Sequence, residues 1–269
     1  MGQSMPHKRA YLLVTLFALL LVLFPFLFWY STWFGRKLSD AEIDRYLADR
    51  AKPRHAQHAL VQIGERMSRR DPAVARWYPA VVQLAASPRI ELRQTAAWIM
   101  GQDHNSAAFH EALLHLLRDP QPMVRRNAAL ALSNFGDPAA RPELLAMLRP
   151  YTVVSPAAGA AQYRLKLGEY VNPGTLVAHV GSAEVRSPLP GEVRNLDRPA
   201  GAIVAPGDPL VELSADKDHV WEALRALWSV GAPEDLEEIQ PFARGIPGVP
   251  EKVQEQAVLT VRAIRSRPK

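Results

Sequence analysis

Pro122-Met-Val-Arg-Arg-Asn-Ala-Ala-Leu-Ala-Leu-Ser-Asn-Phe-Gly136 is followed at once by Asp137-Pro-Ala-Ala-Arg-Pro-Glu-Leu-Leu-Ala-Met-Leu148. In the first half Val124, Ala128, Leu130, Ala131, Leu132 and Phe135 recur at helical spacing, and Gly136 suits the left-handed turn that closes a helix. Asp137 supplies an N-cap and Pro138 a first-turn proline for the next helix, whose apolar stripe is Leu144, Leu145 and Leu148. The stretch as far as Pro150 is therefore a short antiparallel helix pair with two apolar faces. One such pair cannot bury both, so it must stack on copies of itself.

The copies are present. Leu92-Arg-Gln-Thr-Ala-Ala-Trp-Ile-Met-Gly101 matches Val124–Ser133 at an offset of about 32 residues, with Arg93 on Arg125 and Ala96-Ala97 on Ala128-Ala129. The adjacent small residues let neighbouring helices approach closely. A second helix follows Phe109, running from Ala112 to Leu117 and ending in Arg118-Asp119-Pro120. The Val-Arg-x-x-Ala-Ala-x-Ala-Leu core, the Gly-Asp-Pro turn and the Asp-Pro ending resemble HEAT and armadillo-type repeats, most nearly the short bacterial HEAT-like type also seen in phycobilisome lyases. The resemblance implies an α-solenoid, a fold that needs about three or more units, and says almost nothing of function.

Upstream, Ser39-Asp-Ala-Glu42 forms a capping box, Ala59, Leu60 and Ile63 share one face of a helix, and Asp71-Pro72 opens another with Ala75, Trp77, Ala80, Val81, Leu84 and Ala85 on its apolar side. These resemble a degraded first repeat. Residues 38–149 are thus expected to be the first part of the solenoid. The pattern returns at 217–269, where Val220–Gly231 matches Val124–Gly136 apart from one residue and Gln254–Ile264 supplies a final amphipathic helix.

Between them, residues 151–214 are rich in Val, Gly and Pro and duplicate themselves. Ser155-Pro-Ala-Ala-Gly159 recurs as Ser187-Pro-Leu-Pro-Gly191, Gly168 and Gly174 as Gly201 and Gly207, and Val177-x-x-Val180 as Leu210-x-x-Leu213, at an offset of about 32–33 residues. Two similar halves with matched turn glycines suggest a small sandwich folded about a pseudo-twofold axis. This resembles the barrel-sandwich module of biotinyl and lipoyl carrier domains, also used in periplasmic adaptors of pumps. That family carries its prosthetic group on a lysine at the hairpin tip between the halves. Here the tip, Val180-Gly-Ser-Ala-Glu-Val185, has no lysine, and Lys166 lies in the first half on a predicted strand. The resemblance therefore implies a docking module without a cofactor, inserted between repeats.

Residues 1–9 form a polar, basic tail with Lys8 and Arg9, and residues 10–34 are almost wholly apolar, with Pro25 as the one breaker and Trp29, Tyr30, Trp33 and Phe34 as an aromatic band. Some 20 such residues span about 30 Å as a helix, the thickness of a bilayer's hydrocarbon. The run is longer than the apolar core of a signal peptide and ends in bulky residues, so a retained transmembrane helix is expected. The short basic tail favours a cytoplasmic N-terminus and a periplasmic body in a bacterial inner membrane. Arg36, Lys37, Arg45, Arg50, Lys52 and Arg54 argue the other way.

Composition narrows the chemistry. The 269 residues are 48% apolar and 22% charged, enough to bury a core, and cysteine is absent, which removes disulfides, thiolate metal sites and thiol nucleophiles. The net charge of +5 is accounted for by solvated helix faces, and no nucleic-acid partner is expected. His110-Glu-Ala-Leu-Leu-His115 is one residue too long for a zinc-protease helix, since five residues turn it by about 500° and part the two rings. His55 and His58 could share a face but lack a third ligand, and His179 is a packing or surface residue. Phosphate-cradling and nucleophile-elbow glycine motifs are missing. Trp77, Trp98, Trp221 and Trp228 lie within helices, where core packing accounts for most of them.

No catalytic, cofactor-binding or metal residues are expected. The expected role is that of a membrane-anchored, non-enzymatic scaffold or accessory subunit of an envelope or respiratory complex. It would meet other subunits through Arg93, Arg125, Arg126 and the tip Gly181-Ser182, and the lipid bilayer through residues 10–34. The alternatives are a periplasmic adaptor-like component of an export or efflux system, or a bilin-lyase-like or carrier-coupled enzyme component.

Overall fold

A computed structural model describes the backbone over residues 6–32 and 36–267 and the side chains over residues 11–27 and 36–267. The chain forms two compact units, Met1–Gln62 and Ile63–Lys269.

The first unit holds α1 (Pro6–Thr32), α2 (Asp40–Ala48) and most of α3 (Pro53–Ser68). In α1 every described side chain, Tyr11 to Leu27, is exposed. Among the described residues no helix is long and apolar enough to cross a membrane, so the expected span over 10–34 is not met there. Trp33 and Phe34 of the expected aromatic band lie outside the described residues, as do the side chains of Trp29 and Tyr30. The capping box at α2 forms as its sequence requires: Glu42 N donates to Ser39 Oγ at 3.4 Å and Ser39 N to Glu42 Oε2 at 2.9 Å. His55 stacks on Tyr46 at 4.2 Å and its Nδ1 lies 2.8 Å from Asp49 Oδ2.

In the second unit the end of α3 is followed by a 3-10 turn, Pro72–Trp77, capped by Asp71, whose Oδ1 accepts from Ala73 N at 2.9 Å. Three residues per turn put Val74 and Trp77 on one face, so Val74 is buried where an α-helical count had placed Ala75, which is exposed. Then come α4 (Tyr78–Ala85), α5 (Ile90–Met100), α6 (Ala107–Leu116), α7 (Pro122–Asn134), a 3-10 turn at Pro138–Ala140, and α8 (Arg141–Ala146). Gly136 takes φ +71° between α7 and that turn, and Asp137 Oδ1 accepts from Ala139 N at 2.8 Å. After the strands come α9 (Lys217–Val230), a 3-10 turn at Pro233–Asp235, α10 (Leu236–Arg244) and α11 (Glu251–Ser266). Helices α5, α7, α9 and α11 stack in succession as one layer; α4, α6 and α8 lie beside it, and α10 packs on α11. Ala96, Ala97, Ala128 and Ala129 are fully buried between layers, the close approach their size allows.

The strands are β1 (Tyr151–Val154), β2 (Gly159–Tyr163), β3 (Tyr170–Val171), β4 (Leu176–Val180), β5 (Ala183–Arg186), β6 (Gly191–Leu196), β7 (Ile203–Val204) and β8 (Pro209–Leu213). They form two antiparallel four-stranded sheets, ordered β1-β8-β6-β3 and β5-β4-β2-β7. Exchanging the first four strands with the last four converts one order into the other. The hydrogen bonds obey the same exchange. Ser155 N donates to Asp208 O at 2.8 Å and Ser187 N to Thr175 O at 2.8 Å, while Gly207 N donates to Ser155 O at 2.8 Å and Gly174 N to Ser187 O at 2.7 Å. Each half thus completes the turns of the other, around a core of Val153, Ala161, Val171, Val177, Val193 and Leu210. Lys166 sits in the turn between β2 and β3, not on a strand as predicted, because β2 ends at Tyr163.

The sheet is closed into the helical stack at both ends. Tyr151 pairs with Leu213, so the β region leaves and returns at one place. Arg141 then reaches across to the second group of helices, with Nε and Nη2 donating to Asp235 at 2.8 Å each and Nη2 to Glu234 at 2.6 Å.

Candidate functional site

Within the second unit, equivalent positions of successive repeats face one groove. Trp98 of α5, Leu130 of α7 and Ala226 of α9 fall on one another in the repeat register, and all three line a cavity of about 570 Å³. Trp98 and Trp228 are 50% and 54% exposed, although Trp77 is buried at 3%. Core packing therefore does not account for these two. An indole left half in water offers a large rigid surface with a polar edge, the combination that anchors partners at interfaces.

The groove's polar residues bind the layer together. Asn127 Nδ2 donates to Gln94 O and Asn134 Nδ2 to Gly101 O, each at 3.1 Å and each reaching back one repeat. Asparagine fits because its short amide can donate to a carbonyl of the preceding repeat. Glu222 and Arg225, one helical turn apart on α9, also line it, and burial raises the Glu222 carboxyl above the ordinary range. The groove thus presents indole faces, amide groups and one charge of each sign. Among the described residues no group of three or more acidic, histidine or cysteine side chains is arranged to hold a metal ion.

The arginines singled out from the sequence lie elsewhere and face inward. Arg93 grips Asp119 through two hydrogen bonds, at 2.6 and 3.0 Å, and donates to Ser87 O at 2.9 Å. Arg125 repeats the motif one unit on, with Glu143 at 3.0 Å and Asp119 O at 2.9 Å. Both clamp the turns between repeats, and the carboxylate bond holds the Arg93 guanidinium above its ordinary pKa. Arg126 is buried at 4% exposure, where its Nη1 meets His219 Nδ1 at 3.0 Å and its Nε has no partner. Burial pushes both groups toward their neutral forms. Gly181 and Ser182 make the exposed two-residue turn between β4 and β5, with Gly181 at φ +57°. The structure does not bring these five residues together. The groove went unpredicted because periodicity marks Trp98 as apolar without saying which side of the layer it leaves uncovered.

The HEAT-repeat family pattern matches residues 78–161. Over that stretch the helices are HEAT-like repeats. No curated protein matches the sequence. Among solved structures, the crystal structure of an engineered protein is 15% identical, covering 83% of this chain and 78% of its own at a TM-score of 0.46.

Proposed function

We propose that the protein is a non-enzymatic scaffold that holds a segment of a partner subunit in the groove between α5, α7 and α9, with α1 as its membrane anchor. The observation that carries this reading is the pair of half-exposed tryptophans, Trp98 and Trp228, in a groove whose amides are fixed by the stack itself. A rigid wall bearing aromatic anchors favours binding because little entropy is lost on contact. The anchor is supported by the run of exposed apolar side chains from Tyr11 to Leu27. The β region is a lipoyl-like module that has kept its twofold architecture, and its tip at Gly181-Ser182 has no lysine to modify. It serves as a second docking face.

Photo-crosslinking amino acids placed at positions 98 and 228 in intact cells test the proposal. A discrete set of membrane-complex subunits is expected from both positions and not from Glu111, on α6. Equal labelling from all three would overturn it. Protease accessibility in intact cells and spheroplasts checks the expected periplasmic side.

A further inference from the structure

A second cavity, of about 150 Å³, lies where the β region meets the last helices. Its apolar lining includes Leu148 from the segment leading into β1, Phe242 from α10, and Ile246 and Val249 from the loop Gly245-Ile-Pro-Gly-Val-Pro250. That loop is tightly built. Gly245 and Gly248 take φ +89° and +79°, and Val249 N donates to Ile246 O at 3.0 Å, a turn that carries both apolar residues to the cavity. The charged residues of the lining are Arg194 of β6 and Lys217 at the start of α9, both exposed, and no acid joins them. Three acids near the cavity are engaged: Asp216 accepts from Tyr170 Oη at 2.7 Å, Asp218 from Lys252 at 2.7 Å, and Glu238 from Arg149 at 2.5 and 2.7 Å. Among the described residues neither Arg194 nor Lys217 meets a hydrogen-bond or ion-pair partner.

An apolar cavity with two unengaged cations calls for an anion with an apolar body. Its volume sets the size: a cavity of about 150 Å³ holds a ring the size of benzene, so the body has about six heavy atoms. Arginine favours a planar two-oxygen anion that it can meet with two parallel donors. We propose that this cavity binds a carboxylate bearing a short branched apolar tail, presented either by a free branched-chain acid or by the C-terminal residue of a peptide ending in leucine. The site stands apart from the groove and does not depend on it.

Calorimetric titration of the full-length protein in detergent with 4-methylpentanoate, with acetyl-Ala-Ala-Leu and with the C-terminal amide of that peptide tests the assignment. At least one acid is expected to bind, and the amide about tenfold or more weaker than its parent, because it lacks the charge that strengthens the hydrogen bonds. Binding of the free acid alone identifies a small metabolite as the source, and tighter binding of the peptide acid a partner's C-terminus. Arg194→Gln and Lys217→Gln, at exposed positions that leave the fold intact by circular dichroism, each weaken the acid several-fold, and together they abolish it. Binding by neither acid, equal binding of the peptide acid and its amide, or affinity unchanged in the double variant would each overturn it.

Discussion

A methyl group on Gly191 would lie 2.6 Å from the carbonyl oxygen of Ser214, and one on Gly159 would lie 2.8 Å from the amide nitrogen of Gly181. The two contacts are the same contact, since each half of the β region brings the start of its second strand against the residue that follows its fourth. Gly191→Ala and Gly159→Ala are each expected to destabilise the β region by about 1–3 kcal/mol, because backbone must move to admit the new atom. Hydrogen exchange of the β amides, compared with those of α5 and α7, reads the loss where it occurs. Uniform exchange across both regions would contradict it.

The clasp between Arg93 and Asp119 makes a second prediction. Their side chains are 13% and 6% exposed, so removing one partner strands the other away from water. Arg93→Ala is expected to cost about 2–4 kcal/mol in urea denaturation. Arg93→Lys recovers little of that, since one ammonium cannot reproduce two parallel donors and still reach Ser87 O.

Trp98→Ala and Trp228→Ala behave in the opposite way. Half of each side chain already meets water, so the double variant is expected to melt within a few degrees of the parent protein. Its yield of partner crosslinks, read from a photo-crosslinker at Leu130, should fall to background. A large drop in melting temperature would make the tryptophans structural instead.

Acid weakens the junction at His219. The neutral ring accepts from Arg126 at Nδ1, and Asp216 and Asp218 also face it. Burial, then Arg126, hold its pKa below the ordinary 6.5, so the unfolded chain takes up a proton before the folded one does. Stability should therefore fall as pH drops below about 6.5 and level off once the folded ring protonates. Glu222, whose carboxyl is raised, contributes with the opposite sign. The difference in urea midpoint between pH 7.5 and 5.5 should accordingly shrink in His219→Gln, while Glu222 titrates unchanged in both proteins.

What was legible in the sequence follows from what is local. Gly136, Asp137 and Pro138 announce a turn by their own backbone chemistry, and the structure places a left-handed glycine, a capping carboxylate and a helix start there. The duplicated Ser-Pro-x-x-Gly segments likewise announce two equal halves, because each half supplies hydrogen bonds the other needs. Ala75 was misplaced since a 3-10 turn shifts the apolar register, and Lys166 since β2 stops early. The sites were less legible. Arg93 meets an acid 26 residues away, and nothing in its own neighbourhood indicates that the charge faces inward. The groove is made by side chains from several helices and the smaller cavity by helices, a strand and loops, and a one-dimensional pattern does not say which apolar residue its neighbours fail to cover.

Arg141 and Asp235 stand 94 residues apart in the chain. At the pace of translation that is about 5–20 s during which the earlier repeats wait, with one flank open, for helices not yet made. The β region is synthesised in that interval, and its first and last strands pair side by side, so its closure delivers α9 to the place α8 left off. It acts as a splint set before the bone is finished, and variants that loosen it should leave newborn chains to aggregate even where the mature protein tolerates them.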